Sequence, residues 1–160
     1  MPEEKAEEMI APVIKTATVR CGVADAFRIF TERIATWWPL ESHSVGGSSS
    51  ESCFVEERVG GRLYERLNDG RELAWGKVLE WSPPDRLAFT WYPGRGPDTA
   101  QTVEVTFTAV GEGTRVELTH SGWEILGERA IETRDAYDTG WEFVLGERYV
   151  AGCREEAASG

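Results

Sequence analysis

The stretch GKVLEWSPPDRLAFTW, Gly76–Trp91, carries the clearest folding signal in the sequence. A Pro-Pro-Asp turn divides it, and residues of this kind favour a tight reversal of the chain. After the turn, Leu87, Phe89 and Trp91 alternate with smaller or polar residues, which is the period of a strand with one buried face. The stretch therefore predicts two antiparallel strands that are joined by a short turn.

The strand before this turn begins after an Asn-Asp-Gly sequence, a strong signal for a hairpin. A regular alternation along RELAWGKVLEWS places Trp75 and Trp81 on one face of the strand and Gly76 and Val78 on the other. Either face could be the buried one, because both carry apolar residues.

Five other segments have the short, β-branched or alternating character of strands. In one of them, His120 shares the inner face with Val116 and Leu118. Together with the two strands above, the segments predict a sheet of about seven strands, and they read VIKTATVR, CFVEERV, RLYERL, TAQTVEVTFTAV and TRVELTHSGW.

Helical spacing appears in three places. Two short helices, GVADAFRIFTE and RIATWWP, follow the first strand, and a long amphipathic helix is predicted over Gly127–Ala151. This helix is the only element large enough to cover the apolar face of an antiparallel sheet. We therefore predict an α+β fold in which a curved sheet wraps around the C-terminal helix, as a single domain over residues 13–151 with disordered segments at 1–12 and 152–160.

Composition narrows the classes of function. The chain has 160 residues and a formal net charge of −11, which disfavours binding to nucleic acid or to an anionic membrane surface. No apolar run is long enough to cross a membrane, and the acidic N-terminus lacks the features of a secretory signal. We expect a cytoplasmic protein without membrane insertion, whose Cys21, Cys53 and Cys153 are reduced thiols.

The motifs of common catalytic sites are missing. The sequence contains no nucleophile elbow, no nucleotide-binding glycine loop and no metal-ligand spacing. We therefore predict no metal and no cofactor, and the sequence favours a non-enzymatic function over an enzymatic one. His120 keeps two interpretations, a hydrogen-bonded core residue or a polar anchor in a cavity that could act as an acid or base. The seven tryptophans likewise either fill the core or line a cavity.

Four segments together resemble a known family. WWP…HSVG, VGGRLYER…DGRELAWGKVLEWSPPDRLAFTW, TVEVTF…GEGTRVELTHSGWE and YDTGWEFVLGERY are similar to the bacterial homologues of the heat-shock protein 90 ATPase activator. That family lies within the START-like (SRPBCC) superfamily, which includes polyketide cyclases and lipid-transport proteins. The resemblance covers nearly all of the chain, from Val13 to Tyr149, and its most specific part is Gly76–Trp91.

The resemblance implies a helix-grip domain with a deep cavity between sheet and C-terminal helix. Carried onto this sequence, the helix would contribute Tyr137, Trp141 and Leu145 to the cavity. Its rim would be formed by Trp37, Trp38 and the loop that contains His43. The residues expected to line the cavity from the sheet are Phe89, Trp91, Phe107 and His120.

Three functions are compatible with this site. The first is binding of a small hydrophobic ligand, which the resemblance implies to be lipid-, polyketide- or aromatic-like. The second is interaction with a chaperone or another protein in the stress response. The third is a cyclase or dehydratase that acts on an apolar substrate, with His120 as the candidate acid or base. The sequence is compatible with a monomer or a homodimer.

Overall fold

The computed structural model describes residues 10–159. Its strands are β1 (Val13–Val19), β2 (Ser50–Val55), β3 (Arg62–Leu67), β4 (Glu72–Ser82), β5 (Arg86–Trp91), β6 (Gln101–Val110) and β7 (Gly113–Ser121). They form one antiparallel sheet in the order β1-β7-β6-β5-β4-β3-β2. The predicted sheet of about seven strands is thereby confirmed. Of the segment 1–12 predicted as disordered, residues 1–9 lie outside the described residues. In the remainder, the Ile10 N–H donates to Glu124 at 2.9 Å, and Arg134 donates to the carbonyls of Ala11 and Pro12.

Two helical regions pack against the concave face of the curled sheet. Helix α1 (Val23–Thr31) and a 3₁₀ turn (Ile34–Thr36) follow β1, in the places of the two predicted short helices. The C-terminal region starts with a 3₁₀ segment (Trp123–Arg129) and continues through α2 (Ala130–Phe143), a π-helical segment (Val144–Tyr149) and α3 (Val150–Ser159). The α+β helix-grip arrangement is confirmed.

The regular alternation predicted for β4 is wrong, because two bulges interrupt its pairing. Between β3 and β4 the register shifts from Leu63–Gly76 to Tyr64–Ala74, which leaves Trp75 as the extra residue. A second shift follows Val78 in the pairing with β5. Each bulge turns the next side chain onto the same face, so Trp75 and Val78 are both buried and Trp81 also packs against the core.

One half of the core is filled by interlocking side chains. Phe30 of α1 lies edge-on to Phe107 and Tyr149, with ring centroids 5.9 and 5.4 Å away. The Tyr149 hydroxyl donates to the carbonyl of Ala26 at 2.7 Å, and the Trp37 indole donates to the carbonyl of Ile29 at 2.8 Å. These bonds fix α1 between the sheet and the C-terminal helix.

The C-terminal segment 152–160, predicted as disordered, is helical as far as Ser159. Gly152 and Cys153 are buried, with Gly152 set directly against the Trp37 side chain. Glu156 forms an ion pair with Arg33 at 2.8 Å. The sequence shows no apolar periodicity in this segment, so the helix could not be predicted from it. Contacts with the 3₁₀ turn and α1 stabilise the helix instead.

We expect Gly76→Ala to destabilise the fold, because a Cβ at this position would overlap the Thr90 carbonyl oxygen of β5. A backbone atom cannot move aside as a side chain can, so the expected loss in free energy of unfolding is about 2 kcal/mol or more. The matched control is Gly146→Ala, where a Cβ meets no atom within 4 Å and a helix gains up to about 1 kcal/mol. Urea unfolding of both variants measures the difference, and equal stabilities would contradict the close approach of β4 and β5.

Candidate functional site

The other half of the core encloses a cavity of about 380 Å³. It lies between α2, the strands β4 and β5, and the loop between the 3₁₀ turn and β2, which we call the rim loop (residues 40–49). Its mouth is bordered by the exposed residues Val45, Gly94 and Ala136. The lining residues are Trp38, His43, Ser44, Val45, Trp75, Trp91, Pro93, Gly94, Ala136, Tyr137, Gly140, Trp141 and Val144.

Four tryptophan rings form most of the apolar wall. Trp38 lies at its centre, with ring centroids 5.0 Å from Trp75, 5.9 Å from Trp91 and 5.8 Å from Trp141. All four side chains are almost fully buried. The cavity is therefore bounded by aromatic carbon on several sides.

Each of these four indoles uses its N–H on a protein acceptor. Trp38 donates to the His43 carbonyl at 2.8 Å. The acceptors of Trp75, Trp91 and Trp141 are Glu65 Oε1 at 2.6 Å, Tyr137 Oη at 3.2 Å and His120 Nδ1 at 2.9 Å. Because a buried N–H without an acceptor is costly, these bonds hold the ring orientations and leave their carbon surfaces available to a ligand.

Tyr137 supplies a polar group to this apolar wall. Its hydroxyl oxygen accepts the Trp91 N–H, and its own proton has no acceptor within residues 10–159. Burial raises the pKa of Tyr137, so the hydroxyl stays protonated at neutral pH. It is available to donate a hydrogen bond to a ligand oxygen.

The rim loop is held by the buried carboxylate of Glu65. This side chain is fully buried and accepts the backbone N–H groups of Val45 and Gly46, both at 2.8 Å, besides the Trp75 indole. Three N–H donors stabilise a carboxylate without a cation. Glu65 thus connects the position of the rim loop to the orientation of Trp75.

His120 is fully buried, and both of its ring nitrogens are engaged. Nδ1 accepts from the Trp141 indole, and Nε2 lies 3.1 Å from Gln101 Oε1. An indole can only donate, so the imidazole is neutral with its proton on Nε2, from which it donates to Gln101. Burial lowers the pKa of His120 to about 3. This pKa fits a residue that orients Trp141, and it does not fit an acid or base that works near neutral pH.

The structure separates the predicted site residues into two groups. Trp38, His43, Trp91, Tyr137 and Trp141 line the cavity together. The other five lie outside its lining, in the filled part of the core or behind the wall, and they are Trp37, Phe89, Phe107, His120 and Leu145.

Eight of the lining residues were not among the predicted site residues. Trp75 reaches the cavity through the first bulge of β4, and no sequence pattern signals that bulge. Val144 follows Trp141 at helical spacing on the predicted inner face, so its position could have been inferred. The others lie on α2 or on two loops, and they are Ser44, Val45, Pro93, Gly94, Ala136 and Gly140.

In residues 10–159, no three His, Cys, Asp or Glu side chains converge as a metal site would require. Over the same range, none of the helices combines the length and apolar character needed to cross a membrane.

Residues 21–148 match the family described as Activator of Hsp90 ATPase homolog 1-like protein. The match spans most of the sequence, so the chain belongs to this family, and the resemblance inferred from its motifs is confirmed. No protein of curated function shows significant sequence similarity to the chain.

Several solved structures are similar to this chain. The chain is similar to an anthrahydroquino-gamma-pyrone synthase, Txn09, with 37% identity over 91% of this chain and 98% of that one, at a TM-score of 0.62. The self-sacrificing resistance protein CalC from Micromonospora echinospora is 26% identical, with 91% and 96% covered and a TM-score of 0.65. The Aha1 dimer from Colwellia psychrerythraea, at 15% identity, 87% and 94% coverage and a TM-score of 0.57, shares the fold.

We expect Glu65→Gln to loosen the rim loop. An amide puts an N–H₂ group where the carboxylate accepts three N–H donors, so at least one buried donor loses its partner at a cost of about 1–3 kcal/mol. Hydrogen exchange at the Val45 and Gly46 amides should accelerate. Glu56→Gln is the control, because Glu56 also accepts a backbone N–H, from Arg62 at 2.8 Å, but lies far less buried. Unchanged exchange at Val45 in Glu65→Gln would contradict the anchoring role.

Protonation of His120 should destabilise the native state in acid. Its pKa is lowered from 6.5 to about 3, so between these values the unfolded chain binds a proton that the folded chain excludes. Stability from this group is complete above pH 6.5 and falls by about 1.4 kcal/mol for each pH unit below it, down to about pH 3. The difference in free energy of unfolding between wild type and His120→Gln should become smaller when urea unfolding is repeated at pH 7, 6 and 5. A difference independent of pH would show that His120 titrates normally.

Proposed function

We propose that this protein binds a neutral, planar aromatic ligand of the polyketide type in the cavity beside α2. The observation that carries the proposal is the wall of four tryptophan rings whose N–H groups are all turned to protein acceptors. Such a wall offers stacking and edge contacts to another aromatic system. A ligand with flat, unsaturated rings uses these contacts better than a flexible acyl chain.

The lack of charge in the lining supports a neutral ligand. No Asp, Glu, Lys or Arg is among the lining residues, and a charged ligand would lose its hydration there without a counter-ion. The free proton of Tyr137 favours a ligand with an oxygen acceptor, such as a quinone or ketone carbonyl. The net charge of −11 also works against an anionic ligand at long range.

The size of the cavity sets the size of the ligand. Engineered cavities of about 150 Å³ hold one benzene ring, so about 380 Å³ suits two or three fused rings. The relative Txn09 is described as a synthase of an anthrahydroquino-gamma-pyrone, a compound built on fused aromatic rings. This likeness supports the aromatic polyketide class for the present chain.

Titration with 1,8-dihydroxyanthraquinone should quench tryptophan fluorescence saturably. Gly140→Leu should weaken this binding at least tenfold, because its side chain would grow into the cavity, where a Cβ meets only His43 Nε2 at 4.0 Å. Gly146→Leu, on the exposed side of the same helical region, is the matched control and should bind as wild type does. Leucine favours a helix over glycine, so neither variant is expected to unfold.

Two outcomes would contradict the proposal. One is equal binding by wild type and Gly140→Leu, which would place the ligand elsewhere. The other is the absence of saturable quenching by any member of a panel of two- and three-ring quinones, ketones and flavonoids. Circular dichroism of each variant confirms that the comparison is made between folded proteins.

A further inference from the structure

His43 and Tyr137 are two polar side chains of the mainly apolar cavity lining. Tyr137 and Gly140 are three residues apart on α2 and therefore neighbours on one helix face. His43 Nε2 lies 4.0 Å from the position that a Cβ would take at Gly140. The missing side chain at Gly140 thus gives the imidazole room to lie against the helix face that also carries Tyr137, and both side chains line the cavity.

The His43 ring is held in place from two sides. Nδ1 lies 2.7 Å from Ser42 Oγ, and the ring stacks on Phe143 of α2 with centroids 5.4 Å apart and planes at 28°. Nε2 has no hydrogen-bond partner in the part of the chain that the structure describes. When Nδ1–H donates to Ser42 Oγ, the lone pair of Nε2 is free beside the cavity.

Burial is the main reason why the pKa of His43 is lowered and the imidazole is neutral at pH 7. Burial lowers its pKa, Glu41 raises it and Arg148 lowers it. Glu41 and Arg148 form an ion pair at 2.9 Å. Because their charges are opposite, their effects on the pKa of the imidazole oppose one another. A neutral imidazole in a partly buried site can accept a proton, which is the requirement for a general base near neutral pH.

We propose that His43 and Tyr137 form a proton-transfer site for a carbonyl-bearing aromatic ligand. His43 Nε2 takes a proton from the carbon next to the ligand carbonyl. The electron pair of that C–H bond forms the carbon–carbon double bond of an enolate, and the carbonyl π pair moves onto oxygen. Tyr137 Oη–H donates to this oxygen and stabilises its developing charge.

The proton on His43 can then return to the same carbon or to another carbon of the conjugated enolate. No bond is oxidised or reduced, so the step needs no cofactor. Enolate formation is the chemistry that precedes ring closure and dehydration of polycarbonyl compounds. The inference rests on the proposed function, because it requires an aromatic ketone in the cavity. It assigns to His43 the acid–base role that the sequence had suggested for His120.

Deuterium exchange of 2-tetralone tests the site directly. This two-ring aromatic ketone has acidic protons at C1, and their replacement in D₂O is followed by proton NMR, while tryptophan quenching measures binding in the same samples. Wild type should accelerate exchange above the rate in buffer with an equal concentration of imidazole. Below the pKa of His43 the rate should fall, because the protonated imidazole no longer accepts a proton.

Two variants separate the roles. His43→Gln should lower the protein-catalysed exchange at least tenfold and abolish its acid limb, and Tyr137→Phe should lower it at least fivefold. Binding of 2-tetralone should change less than threefold in His43→Gln. Gly146→Leu, whose residue lies outside the cavity lining, should exchange at the wild-type rate.

The outcomes distinguish the two proposals. Binding of 2-tetralone without exchange above the imidazole control overturns the proton-transfer site and leaves ligand binding intact. Equal exchange rates in wild type and His43→Gln also overturn it. If 2-tetralone and the quinone panel both fail to bind, the proposed function and this inference fall together.

Discussion

The structure depends on the hydrogen-bonding needs of buried indoles. Six of the seven tryptophans donate their N–H to a protein acceptor, and these acceptors come from backbone carbonyls, one carboxylate, one hydroxyl and one imidazole. A large ring whose N–H is tied to one side cannot rotate without breaking that bond, which costs about 1–3 kcal/mol when the donor is buried. The rings therefore form fixed walls around the cavity.

This constraint explains why the core has a filled half and an open half. Trp37 and Trp38 are adjacent in the chain, yet Trp37 bonds to the carbonyl of Ile29 while Trp38 bonds to the carbonyl of His43. The first ring packs with Phe30 and Tyr149, and the second faces the cavity. Two neighbouring residues thus mark the boundary between the filled half of the core and the cavity wall, and Glu65 connects the rim loop to the same wall.

Much of the fold could be predicted because its signals are local. Alternating residues marked the strands, and the long amphipathic period marked the C-terminal helix. The bulge at Trp75 could not be predicted, since β-bulges arise from pairing between strands and leave no period in one of them. The interpretation of His120 also needed the structure, because only the partners of its two nitrogens distinguish a core residue from an acid or base.

The π-helical segment Val144–Tyr149 has a consequence for both halves of the core. In a regular α-helix, Tyr149 would lie about 80° around the axis from Trp141. A π turn takes about one residue more than an α turn, and this wider winding brings Tyr149 back toward the inner side, where it reaches the Ala26 carbonyl. The segment therefore changes the helical phase, so that one continuous helical region places Trp141 at the cavity and Tyr149 in the filled half of the core.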